Sequence, residues 1–179
     1  MAEAFSNKLV RAAGIVTTSS AGSIGALANT ITGISTSGVV VGSLVDNTNF
    51  IAGSKVSVIG VGQVTVDRAS TNTSGTSSQN VKFLTSTDAY QSASGTKSIL
   101  IGGTFANNTN NQVNLTVGIN DNSTGVEAAI ASKIPVPAGS SFVISDAGKT
   151  VLESLDTVKV YCDVDNALDV NLSILTGVN

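Results

Sequence analysis

Histidine and tryptophan are absent from this sequence of 179 residues, and cysteine and methionine occur once each. The lack of histidine removes the commonest general base and the commonest imidazole metal ligand together. A single cysteine excludes an internal disulfide framework, and without histidine it also excludes the usual zinc-ligand sets. Charged residues make up 12% of the chain and aromatics 4%. The nine Lys and Arg (Lys8, Arg11, Lys55, Arg68, Lys82, Lys97, Lys133, Lys149 and Lys159) are scattered, and the net charge is −3. With no basic stripe to neutralise a phosphate backbone, nucleic acid is not an expected partner. No run approaches the roughly 18 apolar residues that a membrane helix requires. The opening "MAEAFSNKLVRAAGIVTTSS" carries Glu3 ahead of any basic residue, and Lys8 and Arg11 break its apolar stretch. It does not read as a signal peptide, so synthesis in a cytoplasm is expected, and no membrane association.

Ser, Thr, Asn and Gly fill the space that charge leaves, making 78 of the 179 residues. The apolar fraction of 41% is mostly Val, Ile, Leu and Ala, which argues against disorder and suits half-buried strands. A surface of uncharged polar groups suits a part that packs against copies of itself, because few charges need desolvating. Five Asn-x-Ser/Thr sequons (Asn72, Asn107, Asn114, Asn122 and Asn171) are explained by the abundance of those residues.

The chain reads as four stretches. Residues 1–29 form an N-terminal arm and linker. Phe5 and Leu9 are one helical turn apart, which leaves a short helix open over residues 3–13, and an extended "GIVTTSS" follows. Residues 1–12 are expected to dock on a neighbouring subunit and residues 14–19 to join the protein's own sheet. Residues 30–68 hold the runs "TITGI", "GVVVGSLV", "SKVSVIGVG" and "QVTVDR", punctuated by glycine, and are expected to form a small Gly-rich meander or barrel-like β module. Residues 69–96 are a loop-rich connection in which 69–80, "ASTNTSGTSSQN", reads as a surface loop. Residues 97–179 alternate strongly. Val113, Leu115, Val117 and Ile119 form one series, Val158, Val160 and Cys162 a second, and Leu168, Val170, Leu172 and Ile174 a third. Each is a strand with one face in a core and one in solvent. Pro135 and Pro137 cannot donate to a ladder and place their segment at an edge or crossover. About seven short strands in about 80 residues predict an antiparallel β-sandwich. The fold class expected is therefore all-β, a C-terminal antiparallel sandwich with an inserted small β module and an N-terminal arm.

Cys162 alternates in phase with Val158 and Val160 and reads as a small core residue. "DVDNALD" offers Asp163, Asp165 and Asp169, and "NDNSTGVE" offers Asp121 and Glu127. Neither fits a calcium loop: the first has Leu168 where its glycine should stand, and the second lacks the distal glutamate. Both read as polar hairpin tips. "GVG" at 60–62 lacks the third glycine of a dinucleotide fingerprint and precedes a strand. No Gly-x-Ser-x-Gly elbow occurs. A Ser–Lys pair is the one catalytic arrangement that composition leaves open. Tyr161 is expected to face outward, where a sugar-binding surface would need it. No catalytic, cofactor-binding or metal-binding residues are assigned, no cofactor is expected, and the chain is expected not to be an enzyme.

The carboxyl-terminal motifs "ILIGGTFANNTNNQVNLTVGIND", "IPVPAGSSFVISDAGKTVLESLDTVKVYCD" and "NALDVNLSIL" resemble a group of small virion structural proteins of tailed bacteriophages, including those of marine cyanobacteria. The match covers about 80 residues of turn-and-strand grammar. The stretch "ITGISTSGVVVGSLVDNTNFIAGSKVSVIGVGQVTV" resembles a small β module that recurs in phage particle and tail proteins. The resemblance implies a non-enzymatic virion component, made in the host bacterial cytoplasm. Its implied partners are other virion proteins (capsid, neck or tail subunits) and further copies of itself. A capsid-decorating or neck-associated role fits better than a fibre, since long repeats and coiled-coil heptads are missing. The alternative is a host-surface module of the tail that binds a receptor or carbohydrate.

Overall fold

The computed structural model describes residues 3–145 and 149–178. Among the described residues there is no helix; the chain forms fifteen strands, all paired antiparallel, in three sheets. In chain order they begin with β1 (Ala4–Ala13), β2 (Ile15–Ile24), β3 (Thr30–Thr32), β4 (Leu44–Asp46) and β5 (Val56–Gly60). Next come β6 (Gln63–Val66), β7 (Thr76–Thr85), β8 (Thr87–Gln91), β9 (Lys97–Asn107) and β10 (Val113–Asp121). The last are β11 (Val126–Val136), β12 (Ser141–Ile144), β13 (Thr150–Leu152), β14 (Thr157–Cys162) and β15 (Leu168–Val178). The chain divides into two compact units, Met1–Gly14 with Thr87–Asn179, and Ile15–Ser86.

The first unit is sandwich-like. One sheet runs β1-β15-β9-β12, with β13 also on β9, and the other runs β11-β10-β14-β8. Both feed one apolar cluster: Leu100, Phe105, Leu172 and Ile174 from the first, Leu115, Val117, Val160 and Cys162 from the second. The alternating series read from the sequence are therefore strands in the expected phase, and Leu115, Val117, Val160, Leu172 and Ile174 are all fully buried. Phe142 lies directly opposite Phe105 across the β12–β9 ladder, with ring centroids 6.3 Å apart, which holds the short β12 on its neighbour. Gly103 is dictated by its neighbour: a Cβ there would stand 2.7 Å from Leu172 Cδ2. Pro135 lies in β11, the outermost strand of its sheet, where a missing N–H costs no ladder bond.

The second unit is a closed barrel. Its sheet runs β4-β7-β2-β3-β6-β5, and the two ends meet through the Leu44–Lys55 bridge. Backbone bonds close the seam, Val56 N–H to Ser43 O at 2.9 Å and Val45 N–H to Ser54 O at 2.8 Å. Closure removes the edges that a small sheet would otherwise expose. Ile24, Ile31, Phe50, Val64, Val81 and Phe83 fill the interior.

Several expectations are corrected. Residues 1–29 are not an arm: β1 pairs with β15 along its length, and β2 is an inner strand of the barrel. No helix forms over residues 3–13, because Phe5 and Leu9 share a face in a strand as well as in a helix, and β15 offers a ladder there. The barrel spans 15–86 rather than 30–68, since β2 and β7 complete it. Residues 76–80, read as loop, belong to β7, where Gln79 pairs with Gly22 and Thr76 with Ile24. Residues 39–41, read as strand, lie in a turn region flanked by Gly38 and Gly42, both at positive φ. The Asp-Ala-Gly turn at 146–148 lies outside the described residues.

Candidate interaction surface

Three of the acidic residues singled out in the sequence, Asp121, Asp163 and Asp169, are builders of loops. Asp163 accepts the backbone N–H of Asn114 at 2.7 Å and its side-chain amide at 2.8 Å, tying the turn after β14 to the start of β10. This engagement also leaves Asn114 half-buried rather than exposed. Asp169 accepts the N–H of Ala12 at 3.0 Å, where β1 bulges and Ala12 takes a φ of 57°. That bond first, then the Asn108 side chain and the charge of Arg11, hold the Asp169 carboxyl below its ordinary range. Asp121 caps its own hairpin: Ser123 and Thr124 donate to it through side chain and backbone, which lowers its pKa in the same way. Asp165 lies exposed at the turn tip. Among the described residues no group of three or more His, Cys, Asp or Glu could hold a metal ion.

Two polar anchors are not marked as anchors by the sequence, although Asn107 opens a sequon. Asp156 is buried and accepts the N–H groups of Glu153 at 2.9 Å and Asn122 at 3.0 Å. Asn107 is buried and donates to Asn111 O, Val136 O and Pro137 O, while Thr109 donates to its carbonyl oxygen. Each satisfies loop backbone groups that burial would otherwise leave unpaired. An Asn among many gives no signal of that role until its neighbours are known.

Tyr161 corrects the expectation that it faces solvent. It is 1% exposed, and its hydroxyl donates to the Glu127 carboxylate at 2.9 Å. Glu127 lies across Gly118, where a Cβ would come within 2.8 Å of its Oε1. The missing side chain at 118 makes room for the carboxylate that covers the tyrosine. Cys162 is buried within the core cluster, as its phase indicates. A cavity of about 570 Å³ opens between the loops at 106–110 and 138–141, and none of its lining residues is ionisable.

Four of the exposed large apolar side chains, Phe5, Leu9, Val143 and Val151, lie on one sheet face, while others such as Leu27, Val61 and Val126 lie elsewhere. Phe5 of β1 stands opposite Leu175 of β15, Leu175 opposite Ile99 of β9, and Ile99 opposite Val151 of β13. All four alternate with residues that turn toward the core, Ile174, Leu100 and Leu152 among them, so they form one row across the outer face of this sheet. Phe5 is 77% exposed and Val151 51%, and Leu175 and Ile99 are half-buried. A second row holds Leu9, Asn171, Thr104 and Val143, with Leu9 75% and Val143 54% exposed. Apolar groups scattered singly over a surface need no explanation, whereas these four stand in register across four strands. No helix of the described residues is long and apolar enough to cross a membrane. No protein-family model matches this chain, and no curated protein or solved structure matches it.

Proposed function

We propose that this chain is a non-enzymatic structural component of a tailed bacteriophage particle, a capsid-decorating or neck-associated protein. Its first unit acts as an antiparallel β-sandwich that assembles through the outer face of the β1-β15-β9 sheet. The observation that carries the reading is the registered row Phe5, Leu175, Ile99 and Val151, which needs a partner surface and offers no reactive group. The resemblance of the carboxyl-terminal motifs to small phage virion proteins supplies the kind of assembly. The use of Asp163, Asp169 and Asp156 as loop anchors is in keeping with a part whose work is to hold a shape. Full burial of a Val- or Leu-sized side chain is worth about 1.5–3 kcal/mol, so the two rows together can hold a subunit in a lattice.

The test is imaging of gradient-purified particles from the host that encodes the chain, with mass identification of their components. The expected result is co-purification with complete particles and density for the chain on the head or at the neck. A chain that stays in the soluble fraction while particles are complete would overturn the reading. Density at the tail tip would assign it to host binding instead.

A further inference from the structure

We propose that two copies of this chain pair β1 against β1, antiparallel about a two-fold axis through Asn7, and so join their β1-β15-β9 sheets into one continuous sheet. β1 is the last strand of its sheet, and its outer edge has no ladder partner among the described residues. Such an edge is a template for a further strand.

Charge and shape select the register. Glu3, Phe5, Asn7 and Leu9 alternate onto one side of the strand and its leading residue, Arg11 follows at the start of the bulge, and all five are exposed. With Asn7 on the axis, Glu3 lies opposite Arg11 of the second copy and Phe5 opposite Leu9 of the second copy. Both pairs occur twice by symmetry. Arg11 already lies near Asp169 of its own chain, so the seam would continue an alternating row of carboxylate, guanidinium and carboxylate. The row Phe5, Leu175, Ile99 and Val151 of each copy would also extend across the seam to Leu9 of the other.

The neighbouring registers that keep the same face outward fail. With Lys8 on the axis, the two Lys8 side chains stand directly opposite, which is destabilising. With Ser6 on the axis, Phe5 meets Asn7 and Glu3 meets Leu9, so no charge is paired. The other side of the strand is compatible with this register: Ser6 lies opposite Lys8 of the second copy, so no like charges face each other there. Lys8 on an edge strand commonly guards against sheet-to-sheet pairing; here it rejects one register and suits another. The pairing is a property of the full chain in solution, and it stands or falls separately from membership of a particle.

Sedimentation equilibrium of the full chain, from micromolar to hundreds of micromolar, should give twice the monomer mass. Arg11→Glu should weaken the association at least tenfold by setting like charges opposite one another, and Glu3→Arg combined with Arg11→Glu should restore it. Asn7→Cys should form a covalent dimer on mild oxidation, because directly opposed Cβ atoms lie about 4.5–5.5 Å apart across a ladder. Lys8→Cys should not, since the nearest like residue is a diagonal neighbour about 7–8 Å away. A monomer at all concentrations, or a covalent dimer through position 8 and not 7, would overturn the proposal. So would a double charge exchange that fails to recover an association lost in Arg11→Glu.

Discussion

Leu172 sits in the middle of β15 with no exposed surface, against a glycine whose missing side chain makes its space. Truncating it leaves a cavity that the sheet around Gly103 cannot collapse to fill. Leu172→Ala should therefore lower stability by about 2–5 kcal/mol in chemical denaturation. An unchanged midpoint would mean that the assigned phase of β15 is wrong. Asp169 acts at the same scale through charge. Its carboxyl pKa is lowered on folding from the ordinary 3.8, chiefly by the Ala12 N–H. A group depressed in this way contributes stability that is present above the unfolded value and lost as pH falls through the folded one. Asp169→Asn should thus melt below the wild type at pH 7, and the gap should close as the pH falls below about 4. A gap that is constant with pH would assign the effect to packing. Single residues of these two kinds differ in legibility: the leucine is announced by alternation, whereas the aspartate reads as one more polar tip until its partner, 157 positions away, is placed beside it.

At the scale of elements, period-two alternation of large apolar groups identifies β10, β14 and β15, although β14 is also buried at Thr157 and Tyr161 on its other face. β1 escapes that reading because residues four apart share a face in either regular structure, so Phe5 and Leu9 alone do not choose between them. Its strand state is set by β15, a tertiary partner. The same holds for the start of β7, where Thr76, Ser77 and Ser78 carry no apolar signal and the ladder with β2 decides. Residues 39–41 err the other way: three consecutive valines favour a strand, but Gly38 and Gly42 at positive φ bend the chain on both sides. The tertiary role of β1 has a measurable consequence. Removing residues 1–13 strips a ladder from β15 and takes Val10 and Ala13 off the core. The truncated chain should lose at least about 2 kcal/mol, taking several ladder bonds at roughly 0.5–1.5 kcal/mol each together with the lost apolar burial. Thermal unfolding indistinguishable from that of the full chain would show that β1 is not part of the fold.

At the scale of the whole molecule, the barrel is inserted into the first unit between β1 and β8, and each unit accommodates the insertion by itself. In the barrel, Ile15 and Thr85 at its two ends are paired across a ladder. In the first unit, the Gly14 N–H donates to Thr87 Oγ1 at 3.3 Å. Gly14 has a φ of 121°, and a Cβ there would run into the carbonyl of Val164, so the entry to the insert is written for glycine alone. Alternation and turn residues indicate an all-β chain with a carboxyl-terminal sandwich and a small glycine-rich module, but the row Phe5, Leu175, Ile99 and Val151 becomes visible only when four strands far apart in sequence are set in register. In the proposed assembly this row lies on the face that meets the partner. The direct measurement is uptake into particles of the double variant Val143→Lys with Val151→Lys, two exposed positions on the outer face away from β1. It should unfold within about 0.5 kcal/mol of the wild type, as exposed substitutions do. Its copy number per particle should nonetheless fall at least about tenfold, since a loss of about 1.4 kcal/mol already suffices for that factor. A double variant that folds normally and fills the particle to wild-type occupancy would contradict the claim that this face is what the protein assembles with.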